Sequence, residues 1–133
     1  MRRDFEWWVL IFEFFINRKE YIQMTVKDLL DIEDFSLLVE GDLSREIEKI
    51  YCCDLLSIVM SRAPSDCAWV TVMGNVNAAA VASLADMSCI VLAEGAAADD
   101  VMLAKAKDEQ INVLKTELPV FEAALLIKGG ENA

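Results

Sequence analysis

The stretch CAWVTVMGNVNAAAVASLADMSCIVLAEG, residues 67–95, constrains the fold more than any other part of the chain. It reads as an apolar strand, a turn at Gly74, an alanine-rich helix, and a second apolar strand closed by Gly95. Neither strand alternates polar with apolar residues, as a strand with one wet face does. A continuous apolar run is covered on both faces, which implies a parallel sheet with helices above and below it. The unit then recurs. DDVMLAKAKDEQ (99–110) is a helix opened by two carboxylates at the positive end of its dipole, and INVL (111–114) is the next strand. A last helix runs from Leu118 to Lys128, with Pro119 in its first turn and Gly129-Gly130 as its stop.

The preceding segment is less regular. Thr25 is a helix N-cap for Val26 to Ile32, FSLLVEG (35–41) is a strand ended by Gly41, and EIEKIYCC (46–53) alternates as a second strand. Asp54 is placed to cap a helix through LLSIVMSR, which Pro64 stops. The expected fold is a three-layer α/β domain with a mainly parallel sheet of about five strands flanked by helices. Trp69 anchors its core, and Met60, Met73, Met87 and Met102 fill apolar gaps.

Residues 1–23 differ in character. The apolar run from Trp7 to Ile16 is interrupted by Glu13 and is half the ~20 residues a bilayer span needs. Acidic residues and the lack of a small-residue cleavage site argue against a secretory leader. Three readings remain: an added helix covering a partner surface, a weak membrane-surface anchor, or an over-long start ahead of Met24. The third is preferred, so the domain is placed at residues 24–130, with 1–23 as an N-terminal extension.

Charge narrows the partners. The chain carries 12 basic and 23 acidic residues, a formal charge of −11. Residues 1–23 hold four of each sign, which leaves 8 basic and 19 acidic side chains to the remainder. Such a field repels nucleic-acid phosphates and anionic membranes, and neither is expected as a partner. At 56% apolar residues, a 133-residue domain has more apolar surface than it can hide alone, and a second subunit is expected to cover some of it. Cys52, Cys53, Cys67 and Cys89 lack CxxC spacing and read as reduced, packed thiols of a cytoplasmic protein. Redox sensing at Cys52 and Cys53 would need a nearby positive charge, for which Lys49 is the close candidate in sequence.

Candidate chemistry is sparse. The chain has no histidine, so Ser57, Ser61, Ser65, Ser83 and Ser88 have no imidazole base, and none lies in GxSxG. Lysine is absent between Lys49 and Lys105, which disfavours a Ser–Lys pair. The cysteine spacing does not suit zinc, and Asp31, Glu33 and Asp34 lack the order of a calcium loop. No catalytic residue, metal or cofactor is assigned. The strongest site candidate is the carboxyl edge of the sheet, where Gly74, Asn75 and Asn77 follow one strand and Glu94 and Gly95 the next. The competing structural reading is that Gly74 turns the chain and Asn75 caps the helix. That reading is preferred, because no GxGxxG or P-loop pattern is present, no basic residue is near in sequence, and Glu94 repels phosphate.

The order of segments also resembles a DRTGG domain, a small α/β module found inside some phosphotransacetylases and CBS-domain pyrophosphatases and as short free-standing proteins of anaerobic bacteria. MTVKDLL opens the likeness, followed by GDLSREIEKIYCCDLLSIVM, AWVTVMGNVNAAAVASLADMSCIVLAEG and INVLKTELPVFEAA, from Met24 to about Lys128. Asn75-Val76 stands where the module's Asp-Arg pair falls, and Ala93-Glu94-Gly95 where Thr-Gly-Gly falls, so Gly95 alone is kept. The resemblance implies a non-catalytic regulatory or assembly module, paired into a homodimer and acting through a partner enzyme. A redox complex of anaerobic metabolism is one such partner. The alternative is a small-metabolite or nucleotide sensor at the Gly74/Gly95 edge.

Overall fold

A computed structural model describes residues 9–10 and 24–129; the N-terminal extension, apart from Val9 and Leu10, and Gly130 of the expected helix stop lie outside the described residues. Seven strands and five helices follow one another from Met24. They are β1 (Met24–Thr25), α1 (Val26–Leu30), β2 (Ser36–Val39), β3 (Glu46–Ile47), β4 (Lys49–Cys52) and α2 (Leu56–Arg62). Then come β5 (Cys67–Thr71), α3 (Val76–Leu84), β6 (Cys89–Leu92), α4 (Asp100–Asp108), β7 (Asn112–Lys115) and α5 (Val120–Gly129).

The main sheet has five strands in the order β2-β7-β6-β5-β4. β4, β5, β6 and β7 are parallel, and β2 joins β7 antiparallel with a register shift between Leu37 and Val39. This is the mainly parallel five-stranded sheet that the apolar runs require. Every residue of β5 and β6 is buried, which is why neither run alternates. Trp69 is fully buried on β5, and its indole nitrogen donates to the Cys53 carbonyl at 2.8 Å.

The helices divide between the two faces. On one, Val59 of α2, Ala78 and Ala82 of α3, and Met102 and Ala106 of α4 pack with Trp69, Ile90, Leu92 and Val113. On the other, Val26 and Leu29 of α1 and Ala123 and Ile127 of α5 pack with Val70, Val91 and Leu114. The three layers are therefore α2–α3–α4, sheet, and α1–α5.

Thr25 caps α1 as expected. Its hydroxyl accepts from the Asp28 N–H at 3.2 Å, while the Asp28 carboxylate accepts from the Thr25 N–H at 2.9 Å, a reciprocal capping box. Several other expectations are corrected. The stretch 46–53 is not one strand: β3 pairs antiparallel with β1 in a separate two-stranded sheet, and β4 alone enters the main sheet. The break falls at Glu48, whose N–H turns away to the Asp66 carbonyl at 2.8 Å. Asp54 does not cap α2, whose N-cap residue is Leu55 without a side-chain bond. Its carboxylate instead accepts from the Thr71 hydroxyl at 2.7 Å and the Val72 N–H at 3.0 Å. Met87 and Met102 fill the core, but Met60 is exposed. Cys67 and Cys89 are buried, whereas Cys53 is half-buried and Cys52 exposed.

Candidate functional site

Parallel strands end together, so the loops after β4, β5, β6 and β7 share one rim. At that rim the two halves of the sequence-based candidate part company. Gly74 follows β5, and its neighbour in space is the loop after β6: a Cβ on Gly74 would collide with the Ala97 carbonyl, and the Gly74 carbonyl accepts from the Asp99 N–H at 2.9 Å. The crevice between the two strand ends is filled by the chain itself. Asn75 is the N-cap of α3, accepting from the Ala78 N–H at 3.2 Å, and Asn77 is an exposed residue of its first turn. The competing structural reading of Gly74 and Asn75 is thus what the geometry shows.

Glu94 and Gly95 adopt left-handed backbone, with φ of 60° and 66°. The Glu94 carboxylate accepts from the Val120 N–H at 2.9 Å, placing a negative charge at the first N–H of α5. The Glu94 and Gly95 N–H groups donate to the Leu118 and Thr116 carbonyls, which stitches the loop after β6 to the loop after β7. Thr116 Oγ1 accepts in turn from the Leu118 N–H at 3.2 Å, and Asp99 caps α4 through the Met102 N–H at 2.7 Å. Most polar groups of the rim are engaged in holding its own loops.

One opening remains. The loop after β6 leads to α4 on one face, whereas the loop after β7 leads to α5 on the opposite face. Adjacent parallel strands whose connections diverge in this way leave a crevice at their carboxyl ends, the usual ligand position in open α/β sheets. A cavity of about 240 Å³ lies there. It is lined by Gly95 and Ala96–Ala98 of the loop after β6, by Lys115, Thr116 and Glu117 at the end of β7, and by the apolar Leu38 and Leu103. The Lys115 and Glu117 side chains are exposed and engage no ion pair or hydrogen bond among the described residues. A Cβ on Gly95 would strike the Glu117 carboxylate, so glycine here seats that carboxylate against the loop.

Lys115 corrects the expectation of a rim without positive charge. The strand read as INVL ends at Leu114 and leaves KTE (115–117) as a connector to the last helix. The signal was nonetheless present, since a parallel β7 must deliver KTE to the same edge as AEG. A larger depression of about 380 Å³ opens at the other end of the sheet beside Met24, Lys49, Ile50 and Ile127, away from the strands' carboxyl ends.

Burial and the neighbouring Asp54 push the Cys52 thiol up, the direction opposite to an activated thiolate. Burial pushes Cys67 up to about 11 and Cys89 further still. Among the described residues no group of three or more His, Cys, Asp or Glu side chains gathers to hold a metal ion, and no helix is long and apolar enough to cross a membrane.

No protein-family model matches the chain, and no curated protein matches it. Among solved structures it is similar to the CBS and DRTGG domains of the regulatory region of Clostridium perfringens pyrophosphatase, crystallised with the activator diadenosine tetraphosphate. The likeness has a TM-score of 0.65 at 14% identity and covers 77% of this chain. This chain spans 45% of the length of that neighbour. At such identity the likeness is one of fold.

Proposed function

We propose that the chain is a non-catalytic regulatory module that pairs into a homodimer and acts through a partner protein. The observation that carries this reading is the state of the carboxyl rim. In α/β enzymes that rim presents groups free to react, whereas here Asp54, Asn75, Glu94, Asp99 and Thr116 hold their own chain. The fold-level likeness to a regulatory region of a pyrophosphatase supports the same reading.

Pairing is supported by apolar side chains left in water. Phe121 and Leu125 lie one helical turn apart on α5 and are 73% and 55% exposed, and Leu84 at the end of α3 is 76% exposed. Analytical ultracentrifugation of the full chain is expected to show a dimer at micromolar concentration. Replacing Phe121 and Leu125 together by Asp should yield a folded monomer. A wild-type chain that sediments as a monomer contradicts the pairing.

A second reading, a small-metabolite or nucleotide sensor, is favoured by the β6–β7 crevice. Its volume of about 240 Å³ lies just below the ~300–1,000 Å³ of sites for drug-sized molecules and supports a small ligand.

A further inference from the structure

We infer that the β6–β7 crevice takes a small zwitterion, an α-amino acid with a short apolar side chain. This rests on the sensor reading of the crevice and names the ligand class for it. The cavity offers one cation and one anion, Lys115 and Glu117, on either side of the buried Thr116. A phosphate or simple carboxylate would meet Lys115 but also the Glu117 charge, and an amine would meet the reverse conflict. Only a ligand carrying both charges satisfies both side chains. Its carboxylate accepts from the Lys115 ammonium, and its own ammonium donates to the Glu117 carboxylate.

The seating of Glu117 supports the assignment. Gly95 leaves out the Cβ that would push the carboxylate away, and its N–H is already engaged by the Thr116 carbonyl, so the carboxylate is placed without being neutralised. Leu38, Leu103 and Ala98 share the lining with the charged pair. Their side chains accept a methyl-bearing side chain and offer no partner for a polar one. The volume of about 240 Å³ is of the order of one such molecule.

The test is isothermal titration of the full chain with L-valine and L-leucine, alongside two probes that each lack one charge, the matching 2-oxo acid and the matching primary amine. ATP and inorganic phosphate complete the panel. The amino acids are expected to bind, with the 2-oxo acid and the amine about tenfold weaker or more, since each leaves a charged partner unmet. Lys115→Met and Glu117→Gln, both at exposed positions, should each weaken the amino acid by a similar factor. Only Glu117→Gln should narrow the gap to the 2-oxo acid. Equal binding of the 2-oxo acid, or amino-acid binding unmoved by both variants, overturns the inference. Lys115-dependent binding of phosphate or ATP in place of amino acids also overturns it while leaving the sensor reading intact. Silence across the whole panel removes both.

Discussion

Gly74 and Gly95 are both glycines at strand ends, yet they are required for different reasons. At Gly74 a Cβ meets backbone, the Ala97 carbonyl, and backbone cannot swing aside. At Gly95 it meets the end of a flexible carboxylate, and the main obstacle is the φ of 66°. Gly74→Ala should therefore cost about 2–3 kcal/mol by forced displacement, and Gly95→Ala about 1–2 kcal/mol by conformational strain. Urea unfolding of the two variants checks that order. A second prediction at this scale concerns the buried thiols. Cys67 is raised from 9.0 to about 11, and Cys89 is raised further, both by burial. Below pH 9 the folded and unfolded states bind the same thiol protons. Above it the unfolded chain loses protons that the folded chain keeps. Stability therefore falls as pH rises from about 9 to about 11, by about 1.4 kcal/mol per pH unit for each thiol. Urea unfolding across that window should show the slope, and Cys67→Ala with Cys89→Ala should flatten it whatever they do to absolute stability.

At the scale of elements, the link from β4 to α2 separates what the sequence could say from what it could not. An Asp ahead of a helical pattern is read as a cap, because local spacing is all a sequence displays. The observed partners of Asp54, Thr71 and Val72, lie across the sheet on the next strand. Asp54→Ala should cost about 1–3 kcal/mol, since it leaves the buried Thr71 O–H without an acceptor, although the Thr71 oxygen still accepts from the Met73 N–H at 3.2 Å. A double-mutant cycle with Thr71→Val should show coupling of about 0.5 kcal/mol or more, where a helix cap would show none. The apolar runs at β5 and β6 and the caps Thr25 and Asn75 were legible, because each is fixed by residues within four positions, whereas Asp99 reads as a charge in the first turn and proves to be the N-cap. Splitting 46–53 was not, because the two-residue β1 that captures β3 has no periodicity to detect. The β6–β7 crevice was hidden for a related reason. Its position depends on which face each helix covers, and both α4 and α5 read simply as helices with an apolar side.

For the whole molecule, the net charge of −11 opposes pairing of two copies. The proposed dimer must overcome that repulsion with apolar contact through side chains such as Phe121 and Leu125. Salt screens the repulsion within about 10 Å at 0.1 M ionic strength and leaves the apolar term standing. Light scattering from about 0.05 M to about 0.5 M NaCl should therefore show the dimer tightening. Dissociation over the same range would mean that ion pairs hold it.

The regulatory reading depends on rim amides that side chains of the chain itself already hold without any ligand, and amide hydrogen exchange of the unliganded full chain tests this most directly. The Val72, Ala78, Met102 and Val120 N–H groups are held by Asp54, Asn75, Asp99 and Glu94. Each should exchange about fivefold or more slowly than an unprotected amide, the factor that about 1 kcal/mol per cap supplies. Asn75→Ala should speed exchange at Ala78 alone, and only in part, because the Asn75 backbone carbonyl still accepts from the Ala78 N–H at 3.1 Å. Free exchange at all four positions in the native protein would contradict the account, since it would mean a rim of open helix ends waiting for an anion.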